Sequence, residues 1–267
     1  MALYGKIGFH QLFNRLVLAG SSEQQGYFFI NPTFGIDWEI NEKNVITSSY
    51  ALNTTNAQIL DVFNNFALSD FRTFEKGTGG FNQLNASTLL VSHRLGDWSD
   101  KFFANTIVLF QTNHDFFSTN TIVSPNFSLA EKILIQDRSL LNITSNIDTY
   151  LEVMSSNLKI DIGYASSTYK NIVNNSDLRT VISESYRYGF ELRSGFRKGF
   201  NFHAGTKWTT NAISTQSVNN SFTDNLSFLD LLFTFSERLD LQLQTERYFF
   251  GNLDENNTYY FLDLDLS

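Results

Sequence analysis

Apolar and polar residues alternate one by one along much of the chain, and this period of two sets the reading before any motif does. Tyr186, Tyr188, Phe190, Leu192 and Phe196 fall on one side of an extended backbone, with Arg187, Gly189, Glu191, Arg193 and Gly195 on the other. That is the pattern of a strand with one apolar face. After Arg197, Lys198 and Gly199 it resumes, Phe200, Phe202, Ala204 and Trp208 opposing Asn201, His203, Gly205 and Lys207, which predicts a hairpin with a tight turn. The next pair repeats it: Leu229, Leu231, Phe233 and Phe235 oppose Asp230, Thr234 and Ser236, and past a turn at Glu237 and Arg238, Leu239, Leu241 and Leu243 oppose Asp240, Gln242, Gln244 and Glu246. At the end of the chain Leu262, Leu264 and Leu266 alternate with Asp263, Asp265 and Ser267.

Read this way, about a dozen strands are predicted, at 4–18, 28–40, 45–53, 86–95, 101–112, 141–154, 158–167, 183–196, 200–212, 224–235, 239–250 and from 258 onward. They run to about 10–14 residues, beyond the ~5–6 of an ordinary globular strand and close to the ~9–11 that a tilted strand needs to cross a bilayer. Short polar turns are predicted at 41–44, 96–100, 155–157, 197–199 and 236–238, and long connections rich in Asn, Ser and Thr at 54–86, 113–140, 168–180, 213–224 and 251–258. Short and long connections alternate, which puts every long loop at one end of an up-and-down sheet. Bacterial outer-membrane barrels have this layout, with short periplasmic turns and long extracellular loops.

The faces follow from cost. Asp263 and Asp265 turned toward hydrocarbon would lose of order 1 kcal/mol or more each, while the leucines would gain nothing from water. The leucines are therefore assigned to lipid and the acids to the lumen. Aromatic residues near predicted strand ends, Trp38, Phe196, Phe200, Phe235, Phe249 and Tyr260, fit interfacial girdles.

Composition narrows the picture further. Aromatics make up 15% of the 267 residues, with 27 Phe and 11 Tyr, and there are 2 Pro and no Cys, so a disulfide or thiolate-metal scaffold is excluded. A net charge of −8 without a basic stripe argues against a nucleic-acid partner. Mean hydropathy is −0.18, and no apolar run approaches the ~18–20 residues of a membrane-spanning helix. A barrel reads as polar on average because only every second residue is apolar. The first residues, MALYGKIGFHQLF, lack the basic start and apolar stretch of a secretory signal.

Candidate chemistry is sparse. His10, His93, His114 and His203 are scattered, without the spacing of a zinc site. The acidic stretch DENN at 254–257 lacks the regular oxygen spacing of a calcium loop. Gly77, Gly79 and Gly80 are not followed by a strand-to-helix context and read as loop glycines. His114 and Asp115 are adjacent in the chain, and adjacency alone does not make a catalytic dyad. No cofactor, metal or enzymatic activity is expected. The candidate functional residues are charged side chains on the lumen face: Arg187, Glu191 and Arg193 on one strand, His203 and Lys207 on its neighbour, and Asp230 and Glu246 further round. Such a mixed-sign wall can hold a plug or a ligand by ionic and water-mediated contacts, or be no more than a solvated lining.

The stretch NSFTDNLSFLDLLFTFSERLDLQLQTERYFFGNLDENNTYYFLDLDLS, preceded by LRTVISESY and YRYGFELRSGFRKGFNFHAGTKW, resembles the C-terminal half of the barrel of Bacteroidetes-type TonB-dependent outer-membrane receptors. INPTFGIDWEINEKNVITSSYALN and LSDFRTFEKGTGGFNQLNASTLLVSHRLGDWSDKFFANTIVLFQTNHDFFSTN are similar to preceding hairpins of such barrels. The resemblance covers nearly the whole chain but rests on strand patterning. It implies an all-β, antiparallel up-and-down transmembrane barrel, here about a dozen strands of a 22-strand barrel, forming one partial domain over 1–267 without plug domain or closing strands. It implies an outer-membrane location and import of a scarce nutrient such as a metal chelate, glycan or peptide. The implied partners are outer-membrane lipid, an N-terminal plug, the TonB complex and the nutrient. A plugless porin and a β-rich surface adhesin are the alternatives.

Overall fold

A computed structural model of the chain describes residues 1–18, 21–97, 99–196, 199–236 and 239–266. Its strands are β1 (Ala2–Leu18), β2 (Ser21–Asn41), β3 (Asn44–Asn56), β4 (Ala67–Asp70), β5 (Thr73–Lys76), β6 (Gln83–Leu95), β7 (Phe102–Val123), β8 (Ser128–Leu151), β9 (Ser156–Val173), β10 (Arg179–Ser194), β11 (Phe200–Ser214), β12 (Asn219–Ser236), β13 (Leu239–Phe249) and β14 (Thr258–Leu266). A single helical turn, α1 (Ile59–Val62), precedes β4. Among the described residues no helix is long and apolar enough to cross a membrane. All strands but β4 and β5 form one antiparallel meander in chain order, and each of the predicted strands overlaps one of its members. The sheet is not closed: β1 and β14 are its two edges.

Opposed residues share a face, so the register tests the predicted sidedness directly. Leu264 lies opposite Leu243, Leu243 opposite Leu231, and Leu231 opposite Phe202. Further along the meander Leu158 and Leu192, Ile143 and Tyr164, and Ile36 and Ser48 are matched on the same side. On the other side Asp263 meets Gln244, which meets Asp230, which meets His203. The apolar and polar faces are thus continuous across the sheet, as expected. The total accessible surface of 17341 Å² compares with about 12,000 Å² for a water-soluble globule of this mass. An open single layer exposes both faces, and on the apolar one Leu262, Leu264 and Leu266 of the edge strand are each more than 60% exposed. Such a surface is stable in hydrocarbon and not in water.

Hydroxyls do occur on the apolar face, and eight of them are paired across strands. Ser87 meets Thr112 at 2.7 Å, Thr106 meets Ser145 at 2.9 Å, Thr206 meets Ser227 at 2.9 Å and Thr210 meets Thr223 at 2.8 Å, each pair directly opposed across neighbouring strands. Aromatic rings border the face at the short-turn end, where Phe200 stacks near Phe233 at 5.0 Å and Phe233 near Phe235 at 6.4 Å, with Trp38 exposed further along.

The short turns at 41–44 and 96–100 fall where they were predicted, between β2 and β3 and between β6 and β7, whereas the turn expected at 155–157 lies earlier, at 152–155, because Ser156 and Asn157 already pair in β9. Residues Arg197, Lys198, Glu237 and Arg238 of the two remaining short turns lie outside the described residues. Gly96 takes φ +83° and an added Cβ would stand 2.2 Å from the Phe102 carbonyl, so this turn requires glycine. Neighbouring turns are latched by ion pairs: Lys43 to Asp100 at 2.5 Å, and Lys101 to Glu152. The Lys43 ammonium, aided by the Asp97 N–H, holds the Asp100 carboxyl below its ordinary range, and Asp100 in turn raises Lys43. Lys101 does the same for Glu152.

At the other end the predicted long loops require correction. β7 and β8 run to 22 and 24 residues, and the expected loop at 113–140 is mostly their continuation, closed by a tight turn in which the Ser124 N–H bonds to the Phe127 carbonyl at 2.9 Å. The expected loops at 168–180 and 213–224 likewise shrink to the residues between Val173 and Arg179 and between Ser214 and Asn219. β2 begins at Ser21, well before residue 28. The reason is physical: polarity rises where strands leave hydrocarbon, but the hydrogen-bond ladder does not end there.

The β7–β8 arm also changes neighbours. Pairing lapses at His114 and Asp137, where Asp137 takes φ +66°, and beyond it β8 runs parallel to β5 while β7 touches β9 in parallel. The connection at 57–82, expected as a loop, therefore carries α1, β4 and β5 and docks on the arm. Asp61 pairs with Lys132 at 3.7 Å and Lys76 with Glu131 at 3.4 Å. Among the described residues four of the five well-buried apolar side chains, Val62, Phe116, Ile135 and Val181, lie at this end, and the fifth, Phe103, lies by the short turns. A single-layer wall has no dry interior of its own; this cap does.

Candidate functional site

The polar face between β8 and β12 gathers the predicted site residues, because opposed positions share a side and the register offsets bring charges two residues apart into contact across strands. Glu191 on β10 accepts from the Lys207 ammonium of β11 at 2.8 Å, and its other oxygen lies 3.6 Å from His203 Nε2. His203 Nδ1 lies 3.4 Å from the Asp230 carboxylate of β12. A carboxylate, an imidazole and a second carboxylate thus run across three strands, with Glu191 the least exposed of the set at 16% of its side chain. The edge of His203 packs on Phe228, ring centroids 4.8 Å apart.

Glycine makes the room for this. Gly163 stands opposite Arg187, Gly189 opposite Lys207 and Gly205 opposite Phe228, so each long side chain lies over a neighbouring strand where no Cβ rises. A Cβ on Gly205 would come within 2.6 Å of the Phe228 ring and 2.9 Å of the Phe190 carbonyl. Two open grooves lie along this stretch. One, of about 580 Å³, is lined by Arg193, Asn201, His203, Asp230 and Gln242 among others. The second, of about 440 Å³, is lined by Asn146, Asp161, Arg187 and Lys207.

Six of the seven predicted residues, Arg187, Glu191, Arg193, His203, Lys207 and Asp230, therefore belong to one stretch of wall. Glu246 does not join them. It lies beside Phe228 and Phe261 in register and accepts from the Tyr248 hydroxyl at 2.9 Å. Three participants were missed. Lys159 and Asp161 on β9 are 3.7 Å apart, and Asn146 on β8 donates to Asp161, extending the charged band two strands further. The signal was present: Lys159 and Asp161 alternate with Leu158, Ile160 and Ile162 as plainly as the chosen residues do on their strands.

Of the other histidines, His93 is bonded to Asn44 at 2.9 Å and His10 stacks on Phe29 at 5.0 Å. Among the described residues, no group of three or more His, Asp or Glu side chains is placed to hold a metal ion. The arrangement can bind polar or charged groups, and its paired charges cancel locally.

No protein-family model and no curated protein matches the sequence. Solved structures do resemble the fold. The outer membrane transporter YddB from Escherichia coli superposes with a TM-score of 0.51 at 9% identity, over 89% of this chain. OmpT, an outer membrane protein of Vibrio cholerae, gives 0.37 at 9% identity over 92% of this chain and 87% of its own, and a Pseudomonas aeruginosa FadL homologue gives 0.35 at 9% over 98% and 75%. The chain spans 35% of the length of the transporter. What is shared is the architecture: with its apolar face outward, the meander has the fold of an outer-membrane β-barrel wall, in keeping with the outer-membrane location expected from the sequence.

Proposed function

We propose that the chain forms part of the barrel wall of a TonB-dependent outer-membrane receptor, a transport protein without catalytic activity, whose charged interior seats a plug and whose cap frames the entry of a scarce nutrient. The observation that carries this reading is the charge balance of the interior band. Between β8 and β12 Lys159, Arg187, Arg193 and Lys207 share the face with Asp148, Asp161, Glu191 and Asp230, and the pairs Lys159–Asp161 and Lys207–Glu191 neutralise one another. That stretch sets up little net field for selecting ions in an open pore, although Glu246, Asp263 and Asp265 make the same face acidic further round. It suits a polar protein surface held by exchangeable ion pairs and water. The likeness to the transporter supports the same reading. In this reading the edges of β1 and β14 are covered by further strands of the same barrel, since an unpaired backbone edge in hydrocarbon costs several kcal/mol per group.

The test is electrical. The intact protein, extracted from outer membranes and inserted into a planar bilayer, is expected to pass no steady salt current until denaturant displaces the plug, and nutrient uptake in cells is expected to stop when a protonophore collapses the proton gradient. A steady conductance from the untreated protein would establish the plugless channel instead.

A further inference from the structure

The apolar face carries an arginine, and the structure shows how it is held there. Arg247 on β13 is opposed by Ser227 on one side and Tyr260 on the other. Its Nη1 donates to Asn225 Oδ1 at 3.0 Å. Asn225 is only 3% exposed and is itself fixed, donating to Thr206 Oγ1 at 2.8 Å and to the Lys207 carbonyl at 3.1 Å, while Ser227 donates back to it at 3.0 Å. The guanidinium lies 5.9 Å from the Phe249 ring centre. Of its five N–H donors, the bond to Asn225 uses one. An anchored cation on a lipid-facing surface differs from a flexible lysine reaching for water: its position is set by the wall.

Its height is set too. Tyr164 and Tyr186, 4.9 Å apart, and Tyr188 and Trp208, 6.3 Å apart, form an aromatic band with Phe249 and Tyr260 on the same face toward the cap. Such bands mark the headgroup level. Directly below Arg247 the wall is dented. Thr245 sits between Leu229 and Leu262 in register, and the short side chain between two leucines leaves a groove of about 370 Å³ lined also by Ser227, Arg247 and Tyr260, and by Phe228, Glu246 and Phe261, which alternate to the polar face.

We propose that this groove is a binding site for a lipid with an anionic phosphate headgroup: the phosphate meets the free N–H groups of Arg247 and the Tyr260 hydroxyl, and an acyl chain lies over Thr245 between Leu229 and Leu262. The site needs only that the apolar face meets lipid, and stands whether the barrel is plugged or open. The test uses the intact protein extracted in detergent and measures retention of phosphatidic acid against diacylglycerol of the same acyl chains by native mass spectrometry, with folding verified by heat-modifiable gel mobility. Phosphatidic acid should be retained about five- to tenfold more than diacylglycerol, the effect of one well-placed cation. Arg247→Gln should abolish that preference, and Thr245→Leu, which fills the dent and leaves the arginine, should lower retention of both lipids. Inorganic phosphate should not displace the bound lipid. Unchanged preference in Arg247→Gln, unchanged retention in Thr245→Leu, or full displacement by inorganic phosphate would each overturn the proposal, the last by making it a free-phosphate site.

Discussion

Replacing Leu231 by Arg tests the sidedness of the wall at its most sensitive level. On β12 the apolar face runs from Phe235, in the ring-lined border at the short turns, to Asn225 in the upper band. Ten residues at ~3.4 Å each, tilted ~40°, span about 26 Å of membrane normal, close to the ~25 Å apolar band of outer-membrane barrels. Leu231 stands about 10 Å above the lower border on that scale, near the bilayer midplane, where a guanidinium on the lipid face costs about 2–4 kcal/mol. A loss of ~3 kcal/mol lowers the folded-to-unfolded ratio about 150-fold, since each 1.4 kcal/mol is tenfold. Gln242, opposite Leu232 on the polar face, provides the control: Gln242→Arg points into water and should change stability by less than about 0.5 kcal/mol. The measurement is a urea titration of the intact protein refolded into phosphatidylcholine vesicles. Equal losses at the two positions, or a larger one at Gln242, would refute the assignment of faces.

Four further outcomes are expected. With cysteines introduced singly in intact cells, an impermeant maleimide should label Ser217→Cys beside the cap and not Lys43→Cys in a short turn; the reverse labelling would invert the topology. The latches between short turns should hold over a defined pH window: Asp100 and Glu152 are lowered, so their contribution is present above the ordinary carboxylate range near 4 and is lost as pH falls through the lower folded value, while that of Lys43, which is raised, disappears only at strongly alkaline pH. Amide hydrogen exchange at Gly96, corrected for intrinsic rate, should therefore rise below about pH 4 in the parent and already at pH 6 in Asp100→Asn. Gly77→Ala should loosen the cap, because its Cβ would stand 2.5 Å from the Asp61 carbonyl; a cost of about 1–3 kcal/mol should open residues 57–82 to proteolysis and spare the wall. Glu191→Gln combined with Lys207→Met should show a coupling of about 0.5–1 kcal/mol in a double-mutant cycle, the range for a partly exposed pair, and purely additive losses would mean that the contact is not energetic.

The wall was legible because a bilayer favours apolar residues at every second position where the chain crosses hydrocarbon, and Leu229 to Phe235 or Leu239 to Leu243 follow this rule without a break. The rule lapses above the membrane, and there the reading failed. Thr119, Asn120 and Thr121 look like loop residues, yet they are strand in the β7–β8 arm, because Thr and Asn pair as well in water as Leu does in lipid. The docking of β5 on β8 joins residues 55 apart in the chain, such as Lys76 and Glu131, and nothing local announces it. At the candidate site the alternation sorted Arg187, Glu191 and Lys207 onto one face correctly. It could not say which of them touch, since that depends on strand offsets set elsewhere, and so Glu246 was grouped with residues it does not meet.

The opposed hydroxyls of the apolar face bear on how such a wall finds its alignment. Sliding one strand past its neighbour by a single residue throws leucines into water and is rejected at once. Sliding it by two keeps every leucine outward, and hydrophobicity alone is indifferent to the error. The hydroxyls are not indifferent. Shifted by two, Thr106 would face Ile143 or Ile147 in place of Ser145, and Thr206 would face Leu229 or Asn225 in place of Ser227. Most such errors strand a hydroxyl in hydrocarbon at about 1–3 kcal/mol each. The scattered Ser and Thr on the greasy side thus act as a vernier scale, dividing strand alignments that the leucines leave equal and letting the membrane itself reject the wrong ones during assembly.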